Sequence, residues 1–96
     1  MKPSLILDAN RPLIREIVGR FRANNPRVFG STLHGRDKEG SDLDLLVDVL
    51  PGATLFDLGS LQLELEELLQ IPIDLLTPAE LPPAFRAAIL AEAEAV

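Results

Sequence analysis

The stretch FGSTLHGRDKEGSDLDLLV, residues 29–47, decides how this chain folds. A short strand ends at Phe29, a turn punctuated by glycines follows, and a second strand opens with Asp42, Leu43 and Asp44. Because side chains alternate along a strand, the carboxylates of Asp42 and Asp44 are predicted to project from the same face of the sheet. Two carboxylates held in this way can bind a divalent metal ion.

Gly30 and Ser31 form the second half of the candidate site. A glycine at this turn lets the backbone approach a ligand closely, and the backbone amides together with the Ser31 hydroxyl can bind a phosphate. The sequence therefore predicts a phosphate-binding turn beside a pair of metal-binding carboxylates.

Six positions at fixed spacing carry a resemblance to a known family. The chain resembles the minimal nucleotidyltransferases of the polymerase-β-like nucleotidyltransferase superfamily, whose motif is Gly-Ser-x-x-x-Gly, a polar loop, and Ser-Asp-x-Asp. The matching positions are Gly30, Ser31, Gly35, Ser41, Asp42 and Asp44. The resemblance covers almost the whole chain and implies an α/β (α+β) fold, with a small mixed sheet of three or four strands flanked by helices. Thr32 and His34 depart from the commonest motif, in which arginine is frequent at these positions.

The resemblance also implies a role for each site residue. The residues expected to be catalytic and to bind two magnesium ions, or manganese, are Asp42, Asp44 and Asp74. The residues expected to bind ATP are Gly30, Ser31, Ser41 and Arg36. Asp74 lies in a later strand, matches the family's third acidic residue, and would bind the metal ion at the acceptor hydroxyl and help to remove its proton. His34 has competing interpretations, as a base or as a nucleotide contact or packed residue.

The composition limits the kind of site. The chain of 96 residues is expected to form one domain, 1–96, with a core mainly of leucine, isoleucine and valine. It has no cysteine and one histidine, which excludes a thiolate site and disfavours zinc. A formal net charge of −6 disfavours nucleic acid as a partner but not ATP, for whose phosphates Arg27, Arg36 and Lys38 are local bases. No apolar run is long enough for a signal peptide or a membrane span, so we expect a soluble cytoplasmic protein.

The hydrophobic periodicity predicts the order of the elements. A first helix is expected over residues 8–23, with exposed arginines, followed by strands at 27–29 and 42–49, a helix over 54–70, a strand at 71–76 and a last helix edged by Phe85, Ile89 and Val96. The first two strands are predicted to be antiparallel because their connection is too short for a crossover. The third strand is predicted to be parallel to the second, which would place Asp74 level with Asp42 and Asp44. Asp48 is interpreted as structural or facing solvent.

The helix over 54–70 has two apolar sides. Its predicted core stripe comprises Leu55, Leu58, Leu61, Leu65, Leu68 and Leu69, and it is expected to begin with a capping box between Thr54 and Asp57. Phe56 and Leu63 fall on the opposite side. A terminal segment covering this pair and a partner protein docking on it are both open interpretations.

The resemblance implies a function for the whole chain. Stand-alone domains of this family commonly act as antitoxins of a HEPN ribonuclease toxin, and the active members transfer AMP from ATP to a tyrosine hydroxyl of that toxin. The alternatives are a non-catalytic antitoxin that neutralises its partner by binding, and transfer to a small molecule. The chain contains no tyrosine, so a tyrosine acceptor must lie on another protein. A homodimer and a hetero-oligomer are both compatible with the sequence.

Overall fold

A four-stranded mixed sheet lies at the centre of the molecule. The computed structural model describes every residue from Met1 to Val96. The strands are β1 (Ala23–Phe29), β2 (Leu43–Val49), β3 (Ile73–Leu76) and β4 (Glu94–Ala95). The helices are α1 (Pro3–Gly19), α2 (Gly30–Leu33), α3 (Leu55–Leu69) and α4 (Arg86–Glu92), with a turn of 3-10 helix at Pro78–Glu80. The strand order is β3-β2-β1-β4, which confirms the predicted mixed sheet flanked by helices.

The pairing of the first three strands confirms the predicted topology. β1 and β2 are antiparallel, and β3 lies parallel to β2 on its other side. In this register Asp44 is opposite Phe29 of β1 and Asp74 of β3. The short connection between β1 and β2 permits only antiparallel pairing, whereas α3 is long enough for a crossover.

The two faces of the sheet are covered unequally. Leu43, Leu45 and Val47 belong to the main core, together with buried side chains of α1 and α3. The opposite face has a smaller cluster around Phe29, Leu46 and Leu81. Because side chains alternate along β2, Asp44 lies on this thinly covered face. One helical layer therefore stabilises the fold, while the other face of the sheet stays open enough to present carboxylates.

The first helix has different limits from those predicted. It begins at Pro3, where a fixed φ suits the first helical turn, and contains Pro12 in its interior rather than at its start. Pro12 lies on the exposed side of the helix, where water can satisfy the carbonyl that lost its donor. The helix ends at Gly19, because Arg22 has a φ of +56° and turns the chain into β1.

β1 is also longer than the predicted strand over residues 27–29. It begins at Ala23, and its pairing with β2 shifts register between Asn24 and Arg27. Asn25, with a φ of +52°, lies within this irregularity. The Asn-Asn-Pro sequence at residues 24–26 therefore forms a bulge inside the strand.

Helix α3 confirms the predicted capping box and corrects the predicted core stripe. The Asp57 amide donates to the Thr54 hydroxyl, and the Thr54 amide donates to the Asp57 carboxylate. The buried side chains are Leu61, Leu65 and Leu69. Leu55 is 82% exposed and Leu68 is also exposed, because both lie at the margins of the stripe that faces the sheet.

The C-terminal segment forms an element that the periodicity did not predict. Val96 was expected on the last helix, but α4 ends at Glu92 and residues 94–95 pair with β1 as β4. Val96 is then buried in the main core. Arg11 donates to the Ala95 carbonyl at 3.2 Å and Arg15 to the Val96 carbonyl at 2.8 Å. These two arginines therefore stabilise the sheet edge, which corrects their interpretation as a purely solvated face.

None of the helices is both long enough and apolar enough to cross a membrane.

Candidate active site

The Gly-Ser turn is in direct contact with the carboxylate strand. β1 ends at Phe29, and α2 begins at Gly30 with a φ of +74°. A Cβ atom at Gly30 would overlap Oδ2 of Asp44 and lie 3.0 Å from its Cγ. Both the backbone conformation and the space therefore require glycine here. The structure confirms that the predicted phosphate-binding turn and the predicted metal-binding strand adjoin.

Three carboxylates interact at this point of the sheet. Asp44 is partly buried, and its pKa is raised to about 6, first by burial and then by the negative charges of Asp74 and Asp42. A hydrogen bond with Asp74 raises it further. Asp74 is exposed on the neighbouring strand, and Asp42 is exposed just before β2 begins. The site thus brings three carboxylates together, and one of them, Asp44, is partly shielded from water.

This donor set suits a hard divalent cation. No three acidic or imidazole groups converge closely enough in this structure to form a complete metal site. Asp44 and Asp74 are adjacent, however, and Asp42 lies within electrostatic reach. Carboxylate oxygens are the ligands that magnesium and manganese prefer, and a cation would remove the repulsion that raises the pKa of Asp44. Asp44 and Asp74 are therefore the residues that would hold a metal ion, with Asp42 as the third ligand.

The loop between α2 and β2 is anchored by a residue that the sequence analysis missed. Asp37 is buried, and its Oδ2 accepts a hydrogen bond of 2.9 Å from the Ser4 amide. This bond is the main reason that the pKa of Asp37 lies below its ordinary value, although burial acts in the opposite direction. Asp37 therefore caps the start of α1 from a distant part of the chain. Only the tertiary fold brings these residues together.

The other predicted ATP-binding residues lie in the same loop. The Ser41 hydroxyl accepts a hydrogen bond of 2.9 Å from the Lys38 amide, which shapes the turn before Asp42. Arg36 is exposed, and its guanidinium makes no hydrogen bond or ion pair within the chain. Arg36 is thus free to reach a phosphate, whereas Ser41 has a structural contact as well.

The two departures from the family motif have different surroundings. Thr32 is buried, and its hydroxyl has no hydrogen-bond partner, so it does not replace an arginine at the surface. His34 Nε2 lies 3.1 Å from Oε2 of Glu92, which links the end of α2 to α4. Both side chains of that pair are partly exposed, and their contact joins residues 58 positions apart in the chain. The structure therefore shows His34 in polar contact with α4 while its imidazole stays partly exposed.

A second charged pair lies farther along the same face of the sheet. Arg27 Nη2 is 2.6 Å from Oδ1 of Asp48, and the side-chain Nδ2 of Asn25 donates to the other oxygen of Asp48 at 3.0 Å. This confirms the structural interpretation of Asp48. It also corrects the suggestion that Arg27 serves ATP phosphates, since its guanidinium is mostly buried in this pair.

The carboxylate site is open to solvent. The two concavities of the molecule, of about 330 and 400 Å³, are lined by other residues and include none of the site carboxylates. The larger lies between the start of α1 and the end of α3, and the smaller lies beside the exposed part of β1. An open site can accept a hydroxyl on a large molecule, which an enclosed pocket would exclude.

Comparison with known proteins identifies the family. The model of the family described as "Nucleotidyltransferase domain" matches residues 14–96. The chain belongs to this family. A Methanocaldococcus jannaschii protein named "Putative protein adenylyltransferase" is 42% identical over 66 residues, which cover 69% of this chain and 71% of that protein. Protein adenylyltransferase MntA of Thermococcus cleftensis is 36% identical over 87 residues, which cover 91% of this chain and 85% of that protein.

Solved structures share the fold of this nucleotidyltransferase domain. One described as "Structure of putative minimal nucleotidyltransferase" is 39% identical and matches with a TM-score of 0.82, over 97% of this chain and 93% of that chain. Another, described as "Crystal structure of the toxin-antitoxin with AMP-PNP", has a TM-score of 0.75 at 17% identity, over 90% of this chain and 71% of that chain. The second likeness concerns the fold alone.

Proposed function

We propose that this nucleotidyltransferase is an antitoxin that transfers AMP from ATP to a hydroxyl of a partner HEPN ribonuclease toxin. The observation that carries the proposal is the contact of the Gly30 turn with Asp44, which is itself adjacent to Asp74. This contact places a phosphate-binding backbone beside carboxylates whose mutual repulsion a divalent cation would relieve.

The proposed reaction is an in-line displacement at the α-phosphorus of ATP. A hydroxyl oxygen of the acceptor forms the new bond to this phosphorus, the bond to the bridging oxygen breaks, and pyrophosphate leaves. Backbone amides at Gly30 and Ser31 would hold the phosphates, and Arg36 would contact them from the loop. Asp74 would accept the proton of the attacking hydroxyl. Two magnesium ions bound by the carboxylates would lower the pKa of that hydroxyl and stabilise the leaving charge.

The acceptor is proposed to be a tyrosine of another protein. The chain contains no tyrosine, so self-modification at that residue type is impossible. The open site and the names of the related protein adenylyltransferases support a protein acceptor. The fold shared with a toxin-antitoxin structure agrees with a toxin as partner.

The second candidate function is neutralisation of the same toxin by binding alone. An antitoxin of this kind needs no carboxylate cluster, and a partly buried Asp44 with a raised pKa opposes folding at neutral pH. The cluster therefore favours catalysis. A small-molecule acceptor is the third candidate, and the names of the related protein adenylyltransferases favour a protein acceptor over it.

Labelled ATP separates these functions. The chain is incubated with ATP labelled at the α-phosphate, magnesium, and the protein encoded beside it, and the products are located by mass spectrometry. We expect AMP on a tyrosine of the neighbouring protein and none on this chain, with no product when a chelator replaces magnesium. AMP found only on serine or threonine of this chain would contradict the proposal. Calorimetry should also show ATP binding strengthened by magnesium.

A further inference from the structure

Four of the ten large apolar side chains that are exposed lie around the turn between β2 and α3. Val49, Leu50, Leu55 and Phe56 lie on either side of the turn between β2 and α3, and all are exposed. Phe56 is 87% exposed, and Leu63, two helical turns farther along α3, is 61% exposed. These five residues are named here the distal surface. Exposed apolar groups that lie together are typical of protein interaction sites.

The face of α3 that carries Phe56 and Leu63 can accept another backbone closely. Gly59 and Ser60 lie between them on the exposed side of the helix, and a Cβ at Gly59 would meet no atom within 4 Å. The opposite side of α3 is fixed to the core through Leu61 and Leu65. The distal surface is therefore presented by a rigid element with an open apolar face.

The charge around this surface indicates the kind of partner. The acidic residues of α3 are Asp57, Glu64, Glu66 and Glu67, and the helix carries no lysine, arginine or histidine. A two-fold contact between copies of this chain would bring two such acidic helices together. A partner helix with an apolar ridge flanked by lysine or arginine would match both the apolar and the acidic parts.

No described part of the chain covers the distal surface. The N-terminal amine pairs with Glu39 at 3.3 Å, and the C-terminal residues pair with β1 at the far edge of the sheet from β3. Phe56 remains exposed, which contradicts the interpretation that a terminal segment covers it. Arg11 and Arg15 donate to the C-terminal carbonyls, which holds this end of the chain at the edge of β1.

The distal surface lies away from the carboxylate site. β2 begins beside Asp42 and ends at Val49, so the turn to α3 is at the opposite end of the sheet from the site. α3 also packs on the sheet face opposite to Asp44. Along the helix, Phe56 is about 20 Å from Leu69, which lies near the start of β3. A protein bound at Phe56 would thus leave the site uncovered.

We infer that the distal surface docks the partner through a helix with an apolar ridge and basic flanks, while a separate segment of that partner reaches the active site. This inference rests on the proposed function for the identity of the partner. It predicts that docking contributes to the affinity for the protein acceptor and not to the chemical step.

The test compares Phe56→Asp with Phe85→Asp, using the protein encoded beside this chain as the probe. Phe85 is 62% exposed and precedes α4 on the other face of the sheet, so it controls for loss of an exposed aromatic ring. We expect Phe56→Asp to weaken binding in calorimetry by at least about 30-fold, as for the loss of a central interface side chain. The KM for the protein acceptor should rise correspondingly, with kcat and ATP binding unchanged, and Phe85→Asp should have little effect.

A charge reversal tests the basic flanks. Glu67→Lys should weaken binding a few-fold at low salt, by an amount that shrinks in high salt, whereas Glu94→Lys on the distant β4 should not. Equal effects of the two charge reversals on binding would contradict the inference that the partner helix carries basic residues beside its apolar ridge.

Failures of the two proposals give different results. Normal AMP transfer by Phe56→Asp with unchanged KM would overturn the docking surface and leave the proposed function standing. Binding that depends on Phe56 without any AMP transfer by the unaltered chain would overturn the proposed activity and support the docking surface. A dimer of the chain alone that Phe56→Asp converts to a monomer would assign the surface to a second copy and overturn the inference.

Discussion

Two aspartates seven positions apart in the motif have opposite environments. Asp37 is buried but accepts a backbone hydrogen bond from Ser4, and its pKa is lowered. Asp44 is partly buried among other carboxylates, and its pKa is raised to about 6. The first arrangement stabilises the ionised side chain and the fold, whereas the second opposes ionisation. The comparison teaches that the same residue type serves the structure at one position and the predicted chemistry at the other.

The largest effect should follow from Asp44→Asn. Loss of a metal-binding carboxylate should reduce AMP transfer about a thousandfold or more, measured with labelled ATP and the partner protein. Asp48→Asn is the matched control, since it removes the same charge from the same face of β2 at a position paired with Arg27. Near-normal AMP transfer by Asp44→Asn would show that Asp44 is not needed for the reaction, and the proposed contrast between Asp37 and Asp44 would be wrong.

Gly30→Ala should break the contact between the turn and the carboxylate strand. The added methyl group would displace Asp44 and would also require a positive φ, so a loss of about a hundredfold in transfer rate is expected. Gly40→Ala is the control, because Gly40 has a φ of +88° but open space around its Cβ. Equal losses in the two variants would mean that backbone strain alone, without contact at Asp44, explains the effect.

The raised pKa of Asp44 should be visible in folding stability when a chelator is present. Below its ordinary pKa of 3.8 the carboxyl is protonated in both the folded and the unfolded chain, so it does not oppose folding. As the pH rises from 3.8 to about 6, the unfolded chain ionises Asp44 more readily than the folded chain, so the free energy of unfolding falls. Above a pH of about 6 the carboxylate is ionised in both states and the destabilisation is complete. Asp44→Asn should therefore be more stable than the unaltered chain by about 1–3 kcal/mol at pH 7.5, and no more stable at pH 3.5.

Urea denaturation followed by circular dichroism at the two pH values measures this difference. If Asp44→Asn lowered the stability at pH 7.5, the carboxylate would be stabilising, and the contrast with Asp37 would disappear.

Asp37→Asn should lower the free energy of unfolding at neutral pH, whereas Asp44→Asn should raise it. We expect the effect of Asp37→Asn to be the smallest of those considered. The lowered pKa means that the stabilisation is present above the unfolded pKa of 3.8 and is lost as the pH falls through the lower folded value. We expect a loss of about 1 kcal/mol at pH 7, from a weaker hydrogen bond to Ser4, that fades below pH 3. Asp8→Asn is the control in the same denaturation experiment, because it removes an exposed carboxylate that pairs with the neighbouring Arg11 and not with a distant backbone amide. A loss that did not depend on pH would show that packing, and not charge, explains the role of Asp37.

The amino-acid sequence by itself predicted the parts of this protein that depend on neighbouring residues. The length of the connections determined the antiparallel and parallel pairings, and the alternation along β2 and β3 brought Asp44 level with Asp74. The capping box at Thr54 forms as its four-residue pattern predicts. These features depend on residues close together in the sequence or on the number of residues between two elements, and both can be determined from the sequence.

Only the tertiary structure decided the features that join distant segments. Asp37 contacts Ser4 across 33 positions, and Arg15 reaches the carbonyl of Val96 across 81. β4 forms because the edge of β1 is available to pair, which the helical pattern of residues 85–96 does not reveal. The raised pKa of Asp44 arises in the same way, since burial and the charge of Asp74 come from strands that meet only in the fold. Periodicity describes one element at a time, whereas these contacts depend on where the elements lie in space.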